Sequence, residues 1–368
     1  MADNLPADSP VDQANDELAV TAKTWMQRGI ALLSAGRQEV LKEALHCFDQ
    51  ALERRRQLPW QTNEKYRWLL TACWMNRGDV LTRLGEPSML VDAVHSFDEA
   101  ITLLEGLPLD ADPQYRGRLV LGWMNRSLAL RYQGGPESLD EALFSLSRAE
   151  DALLQGTRAP DLSLLASIIM NRAALLLEFT PPRALEALQS ADTLIELCGP
   201  TEETDELASE LGLKARHVFC RAVAILLETP PVDPAHADEW LMRATDRVDE
   251  AMTLTAIWSK HNTAPGFHVL QFELFRFGCH MYLAWQPHFL AEFILDVLDC
   301  ERASPLFSHS KQLHAAGMEA LTMAAEVLKR RGPLDLGLKK VDRLIEIIAE
   351  LNAAAERIKT SQGMLEAG

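Results

Sequence analysis

At 368 residues, with 48% apolar side chains and only 19 glycines and 18 prolines, the chain can bury a large core and is neither low-complexity nor linker. Its 53 acids against 36 bases give a net charge of −17, which repels a phosphate backbone and an anionic bilayer alike and excludes nucleic-acid and membrane-surface binding as general roles. No apolar run reaches the roughly eighteen residues of a membrane span; the nearest, Phe267 to Leu298, is interrupted by His268, Glu273, Arg276, His280, Gln286, Pro287 and His288.

In chain order, residues 1–16 come first. Asp3, Asp8, Asp12 and Asp16 occur with no base before Lys23, a composition that predicts a disordered acidic tail. There is no basic n-region and no apolar h-region, so a secretory signal is not expected. Six cysteines (Cys47, Cys73, Cys198, Cys220, Cys279 and Cys300) form no CxxC pair, which agrees with reduced, buried thiols and a cytoplasmic protein.

From residue 17 to 258 the sequence repeats. Trp25-Met26-Gln27-Arg28-Gly29 returns as Trp74-Met75-Asn76-Arg77-Gly78 and as Trp123-Met124-Asn125-Arg126-Ser127. Weaker copies are Ile169-Met170-Asn171-Arg172-Ala173 and Val218-Phe219-Cys220-Arg221-Ala222. From arginine to arginine the spacings are 49, 49, 46 and 49 residues. Each copy is followed by a second signature, alanine, then a large apolar residue four later, then alanine three later: Ala44/Phe48/Ala51, Ala93/Phe97/Ala100, Ala142/Leu146/Ala149, Ala184/Leu188/Ala191 and Ala237/Leu241/Ala244.

Both signatures have helical period: Trp74, Gly78 and Leu81 share one stripe, as do Ala93, Phe97 and Ala100. Small residues facing a large one let two helices approach and interlock. Between the signatures lie Ala35-Gly36, Gly85-Glu86-Pro87, Gly134-Gly135-Pro136, Thr180-Pro181-Pro182 and Thr229-Pro230-Pro231, which end one helix and start the next. Five helix hairpins in series predict an all-α superhelical solenoid of antiparallel hairpins.

The paired signatures resemble the tetratricopeptide repeat, best in Cys73 through Leu81 followed by Ala93, Phe97 and Ala100. Three features depart from that family. The period is near 49 rather than about 34. The turn is three residues longer in four copies, and an arginine stands where a packing leucine is usual. The resemblance implies a protein or peptide partner held in a concave groove.

Three ladders of recurring residues are candidates for that role. Arg28, Arg77, Arg126, Arg172 and Arg221 either fork onto a partner's carboxylates or pair with an acid of their own or the next repeat, Asp49 and Asp98 being candidates. Gln27, Asn76, Asn125 and Asn171 stand where the resemblance implies the concave surface, and an amide there supplies both donor and acceptor to an extended peptide. Related clamp domains also need a lysine one residue before the asparagine. Here that place holds Met26, Met75, Met124 and Met170, so capture of a C-terminal carboxylate is not implied. The methionines, Met75 and Met124 above all, either line the groove as a soft apolar stripe or pack between repeats.

Residues 259–360 read as a degenerate sixth hairpin (Phe267 to Trp285, then Pro287 to Cys300) and two capping helices (Pro305 to Arg331, Pro333 to Lys359), before a flexible tail at 361–368. The sixth hairpin is aromatic, with Phe267, Phe272, Phe275, Phe277, Tyr282, Trp285, Phe289 and Phe293. It fits a terminal cap, a homodimer surface or a ligand pocket. Six histidines from His261 to His314 lack the i, i+3 or i, i+4 pairing of a metal site, and no phosphate loop, GxSxG or dinucleotide fingerprint occurs. The expectation is a non-enzymatic scaffold or adaptor, chaperone-like, with no cofactor or metal. The alternative is a regulator that senses a ligand with its aromatic C-terminal bundle.

Overall fold

The computed structural model describes residues 10–157, 159–228, 234–258, 265–285 and 293. Regular structure among them is entirely helical: α1 Pro10–Ser34, α2 Leu41–Arg55, α3 Glu64–Leu84, α4 Pro87–Glu105, α5 Pro113–Gln133, α6 Pro136–Leu154, α7 Leu162–Leu176, α8 Ala184–Cys198, α9 Glu206–Glu228, α10 Pro234–Trp258 and α11 Pro265–Trp285. None of the described helices is long and apolar enough to cross a membrane. The chain forms two compact units, one up to Leu175 and one from Leu176.

In the first unit, α1/α2, α3/α4 and α5/α6 are antiparallel pairs, and each following first helix packs on the preceding second helix. The turn within a pair is short because its residues suit it: Gly85 ends α3 at φ +71°, and Pro87 opens α4 after a single intervening residue. Gly134 and Gly135, at φ +71° and +84°, do the same ahead of Pro136. Asn63 and Asp112 start α3 and α5 by accepting hydrogen bonds from the backbone of Lys65 (3.0 Å) and Gln114 (2.8 Å), which satisfies amides that the first turn leaves open.

Two sequence boundaries move. The helix α1 begins at Pro10, so residues 10–16, expected as tail, are helical. In the second and third pairs the turn is not lengthened as expected but is two residues (Gly85-Glu86, Gly134-Gly135), whereas the first pair is joined by residues 35–40, which include a 3-10 turn at Gln38–Val40. The extra residues extend the helices instead, to 21 in α3 and α5 and 19 in α4 and α6.

Each hairpin closes on a small residue under a large one. A Cβ on Gly29 would stand 2.6 Å from the Phe48 ring. Ala44, Phe48, Ala51, Ala93, Phe97, Ala100, Ala142, Leu146 and Ala149 are all buried, as the second signature predicts. Arg67 and Arg116, 49 apart, reach from the starts of α3 and α5 to carbonyls at the ends of α4 and α6, Arg67 to Gly106 and Arg116 to Ala152 (2.8 Å). There a cation meets the negative end of a helix dipole.

In the second unit α8 packs on α9, α9 on α10, and α11 on both α9 and α10. Ala184, Leu188 and Ala191 are buried in α8, and in α10 Leu241 and Ala244 are buried while Ala237 is half-buried, so the signature packs fully in α8 and in part in α10. The predicted helix from Phe267 to Trp285 is α11. Of the second half of the predicted sixth hairpin only Phe293 is described, and both capping helices and the 361–368 tail lie outside the described residues.

Charges also order this unit. Arg216, its side chain 4% exposed, donates two hydrogen bonds to Glu202 (2.9 and 2.8 Å) and one to Glu250 (3.1 Å). Glu250 accepts from Arg247 as well (2.9 Å), and Arg247 and Arg243 both pair with Asp192 of α8. Six alternating charges thus tie α8, α9 and α10 together.

Candidate functional site

The candidate site is the surface made by the first helices of the first unit. Successive first helices touch directly, α1 with α3 and α3 with α5, whereas successive second helices have marginal contact at most. The array therefore curves with its first helices on the inner side. Each of these helices turns one stripe away from the second helices. It comprises Lys23, Gln27, Ile30 and Ser34 in α1, Ala72, Asn76, Asp79 and Arg83 in α3, and Leu121, Asn125, Leu128 and Tyr132 in α5. The register places Ser167, Asn171 and Ala174 at the same positions of α7.

The amide row is on this stripe. Gln27 and Asn171 are exposed, and Asn76 and Asn125 are half-buried. Asn76 turns its amide back on its own helix, donating to the Ala72 carbonyl (2.7 Å).

Two of the methionines, Met26 and Met75, pack between repeats. Met26 is buried, with its sulfur 3.4 Å from Cys73 Sγ of α3. Met75 is half-buried, packs on two core clusters, and has its sulfur 3.7 Å from where a Cβ on Gly122 of α5 would stand. Cys73 and Gly122 are 49 apart, so the two methionines do one job, filling the seam between successive first helices. Met124 is half-buried at the next equivalent place. Of the two readings open for these residues, packing between repeats describes Met26 and Met75.

The arginine ladder is internal to the array. Arg77 donates from Nε to Asp49 of the preceding repeat (2.8 Å) and from Nη1 to Ser96 of its own second helix (2.6 Å). Arg126 repeats this with Asp98 (2.7 Å) and Ser145 (2.8 Å), and adds Glu141 (2.9 Å). Arg172 pairs with Glu150 of the preceding repeat, and Arg28 with Glu43 of its own. Asp49 and Asp98 are the acids singled out in the sequence, and each meets the arginine one repeat later. Arg221 departs from the ladder: it is exposed, and Arg216 is the buried cation of α9.

Sequence reasoning missed the apolar part of the surface. Leu121, Leu128 and Tyr132 are 42%, 37% and 58% exposed on one face of α5. Their equivalents in α3 are Ala72, Asp79 and Arg83. An apolar side chain at a place where the neighbouring repeat is small or charged was the readable signal.

In the second unit three of the described aromatic side chains pack on one another. Phe275 and Phe293 are buried and stacked, with ring centroids 5.9 Å apart, and Tyr282 lies against Phe293 at 5.0 Å and hydrogen-bonds to Asp249. The thiols among the described residues are buried: desolvation pushes Cys73 and Cys198 up to about 11, and Cys220 and Cys279 up to about 12.

No family model and no curated protein matches the chain. Among solved structures it is similar to a circular tandem repeat protein with 14% identity, covering 97% of this chain and 87% of that one at a TM-score of 0.36. It is also similar to a de novo designed helical repeat protein (16% identity, 96% and 100% covered, TM-score 0.16) and to a computationally designed self-assembling cyclic homo-oligomer (13%, 95% and 99%, 0.17). Its own helix pairs, recurring with the sequence period and closed at the same register by a small residue against a large one, make the chain a helical-repeat protein.

Proposed function

We propose that the chain is a long-period tetratricopeptide-like scaffold, without enzymatic activity, that holds a protein or peptide partner on the inner face of its first helices. The observation that carries this reading is the exposed apolar face of α5, Leu121, Leu128 and Tyr132, beside an amide row. Apolar side chains grouped on one face and flanked by polar groups are the usual composition of a contact surface. The non-enzymatic part is supported by how the chemistry-bearing groups are used. Its described thiols are buried and pushed up, and of its two described buried arginines Arg216 is saturated by Glu202 and Glu250 and Arg55 is bonded to the Leu69 carbonyl. The high negative charge disfavours nucleic acid as a partner.

The test compares wild type with two variants that circular dichroism shows to be folded: Asn76→Ala/Asn125→Ala/Asn171→Ala, and Leu121→Ser/Leu128→Ser/Tyr132→Ser. Proteins captured by wild type are purified and titrated singly against each. Binding that is at least about tenfold weaker on both variants supports the scaffold reading. A partner bound equally by all three places the binding surface elsewhere.

A further inference from the structure

We infer that the occupant of the α5 face is a short acidic–apolar peptide segment whose side-chain carboxylate pairs with Arg118 while its apolar residues cover Leu121, Leu128 and Tyr132. This rests on the scaffold reading and specifies the partner's chemistry. Arg118 stands three residues before Leu121, so positions 118, 121, 125, 128 and 132 advance by three or four and form one continuous stripe on α5. Its guanidinium lies 4.0 Å from the ring centroid of Trp68, and Trp68 is itself held against Tyr115 at 5.1 Å. The cation is therefore fixed in place and half-buried.

What separates Arg118 from the other half-buried arginines of this unit is its partner. Arg77, Arg126 and Arg172 each meet a carboxylate, and Arg67 and Arg116 meet helix-end carbonyls. Arg118 meets an aromatic face and, among the described residues, no acceptor oxygen. Desolvation alone accordingly holds its guanidinium below the usual arginine range. A half-buried cation with five donors and no acceptor is a site for a carboxylate, which it takes up in a bidentate fork. A chain of charge −17 offers an acidic segment no long-range attraction, so the carboxylate is held only where a cation is presented locally.

From Arg118 to Tyr132 the helix rises roughly 21 Å. An extended peptide spans that with about six residues. The expected ligand therefore carries Asp or Glu at one end and Leu, Ile or Phe across the next six or so.

The test uses the purified full chain and a phage-displayed library of random peptides, with the selected peptides then synthesised and titrated by calorimetry. The expected winners share an acid followed by apolar residues. They bind Arg118→Gln and Arg118→Met about tenfold or more weaker than wild type, and changing the peptide's acid to its amide costs nothing further on those variants. Arg118→Met keeps the packing stem, so it reads the charge even if Arg118→Gln disturbs the fold. Winners without an acid, or equal binding to wild type and Arg118→Met, overturn the inference. If those same peptides are lost on Leu128→Asp, the groove stands and only its acid preference falls. If Leu128→Asp binds them unchanged, or no peptide is selected, the groove reading falls with it.

Discussion

A Cβ atom on Gly78 would lie 2.7 Å from the ring of Phe97, inside any tolerable contact, so the α3/α4 hairpin closes only because position 78 has no side chain. The same pair occurs as Gly29 with Phe48. The third repeat solves the problem the other way, with Ser127 over the smaller Leu146, both buried. Gly78→Ala is therefore expected to destabilise the chain by about 1–3 kcal/mol through overpacking. Phe97→Leu alone costs about 1 kcal/mol, and the double variant costs less than the sum. Urea midpoints of the four proteins of this cycle measure the coupling; strict additivity would contradict the interlock.

Two arginine variants should differ because of the acids they leave behind. Arg126→Met strands Asp98 and Glu141, whose side chains are 48% and 58% exposed and stay hydrated, so a loss near 1 kcal/mol is expected. Arg216→Met strands Glu202, only 13% exposed, while Glu250 keeps Arg247, and should cost about 3–5 kcal/mol. Adding Glu202→Gln should recover part of that second loss. Chemical denaturation followed by helix content reads all three.

His217 of α9 sits edge-on to Phe277 at 5.6 Å, and burial, assisted by nearby Arg221, lowers its pKa to about 4. Its unfolded value is near 6.5, so between pH 6.5 and 4 the unfolded chain binds the extra proton. Stability is thus full above that window and falls as pH drops through it, by about 3 kcal/mol at the lower end. His217→Phe should flatten this part of the stability profile. An unchanged slope between pH 6.5 and 4.5 would mean that the imidazole is hydrated.

Thiol chemistry should report packing. Cys73, Cys198, Cys220 and Cys279, with pKa values near 11 or 12, are almost wholly protonated at neutral pH. Iodoacetamide should modify them in the native chain no faster than the helices open, and promptly in denaturant. Peptide mapping by mass spectrometry follows each thiol. Native labelling of Cys73 at the rate of a free cysteine would contradict its burial between Met26 and Arg55.

The helix pairs were readable because a repeat writes its packing several times over. Ala93, Phe97 and Ala100 gain meaning from Ala44, Phe48 and Ala51 at the same register. The ladder was half readable: Asp49 and Asp98 were identifiable as acids near the arginines, but which repeat supplied the acid depends on how α3 lies across α2, a tertiary fact. The methionines stayed ambiguous because Met26 and Met75 look alike on a groove and in a seam; the neighbour each packs on, Cys73 or Gly122, is 47 residues away in sequence. Leu121, Leu128 and Tyr132 escaped notice for the opposite reason. A search for sameness discards the places where one repeat differs, and the exposed apolar side chains of α5 stand at such places.

The reach of Arg77 back to Asp49, and of Arg126 back to Asp98, gives the array a modular consequence. Residues 64–112, one 49-residue period, hold an arginine that looks backward and an aspartate that waits for the next one. A second copy of that cassette inserted in tandem would find its arginine facing Asp98 and offer a fresh Asp98 to Arg126. Both junctions would be ready-made, so the chain could be lengthened by duplication without designing a single new contact.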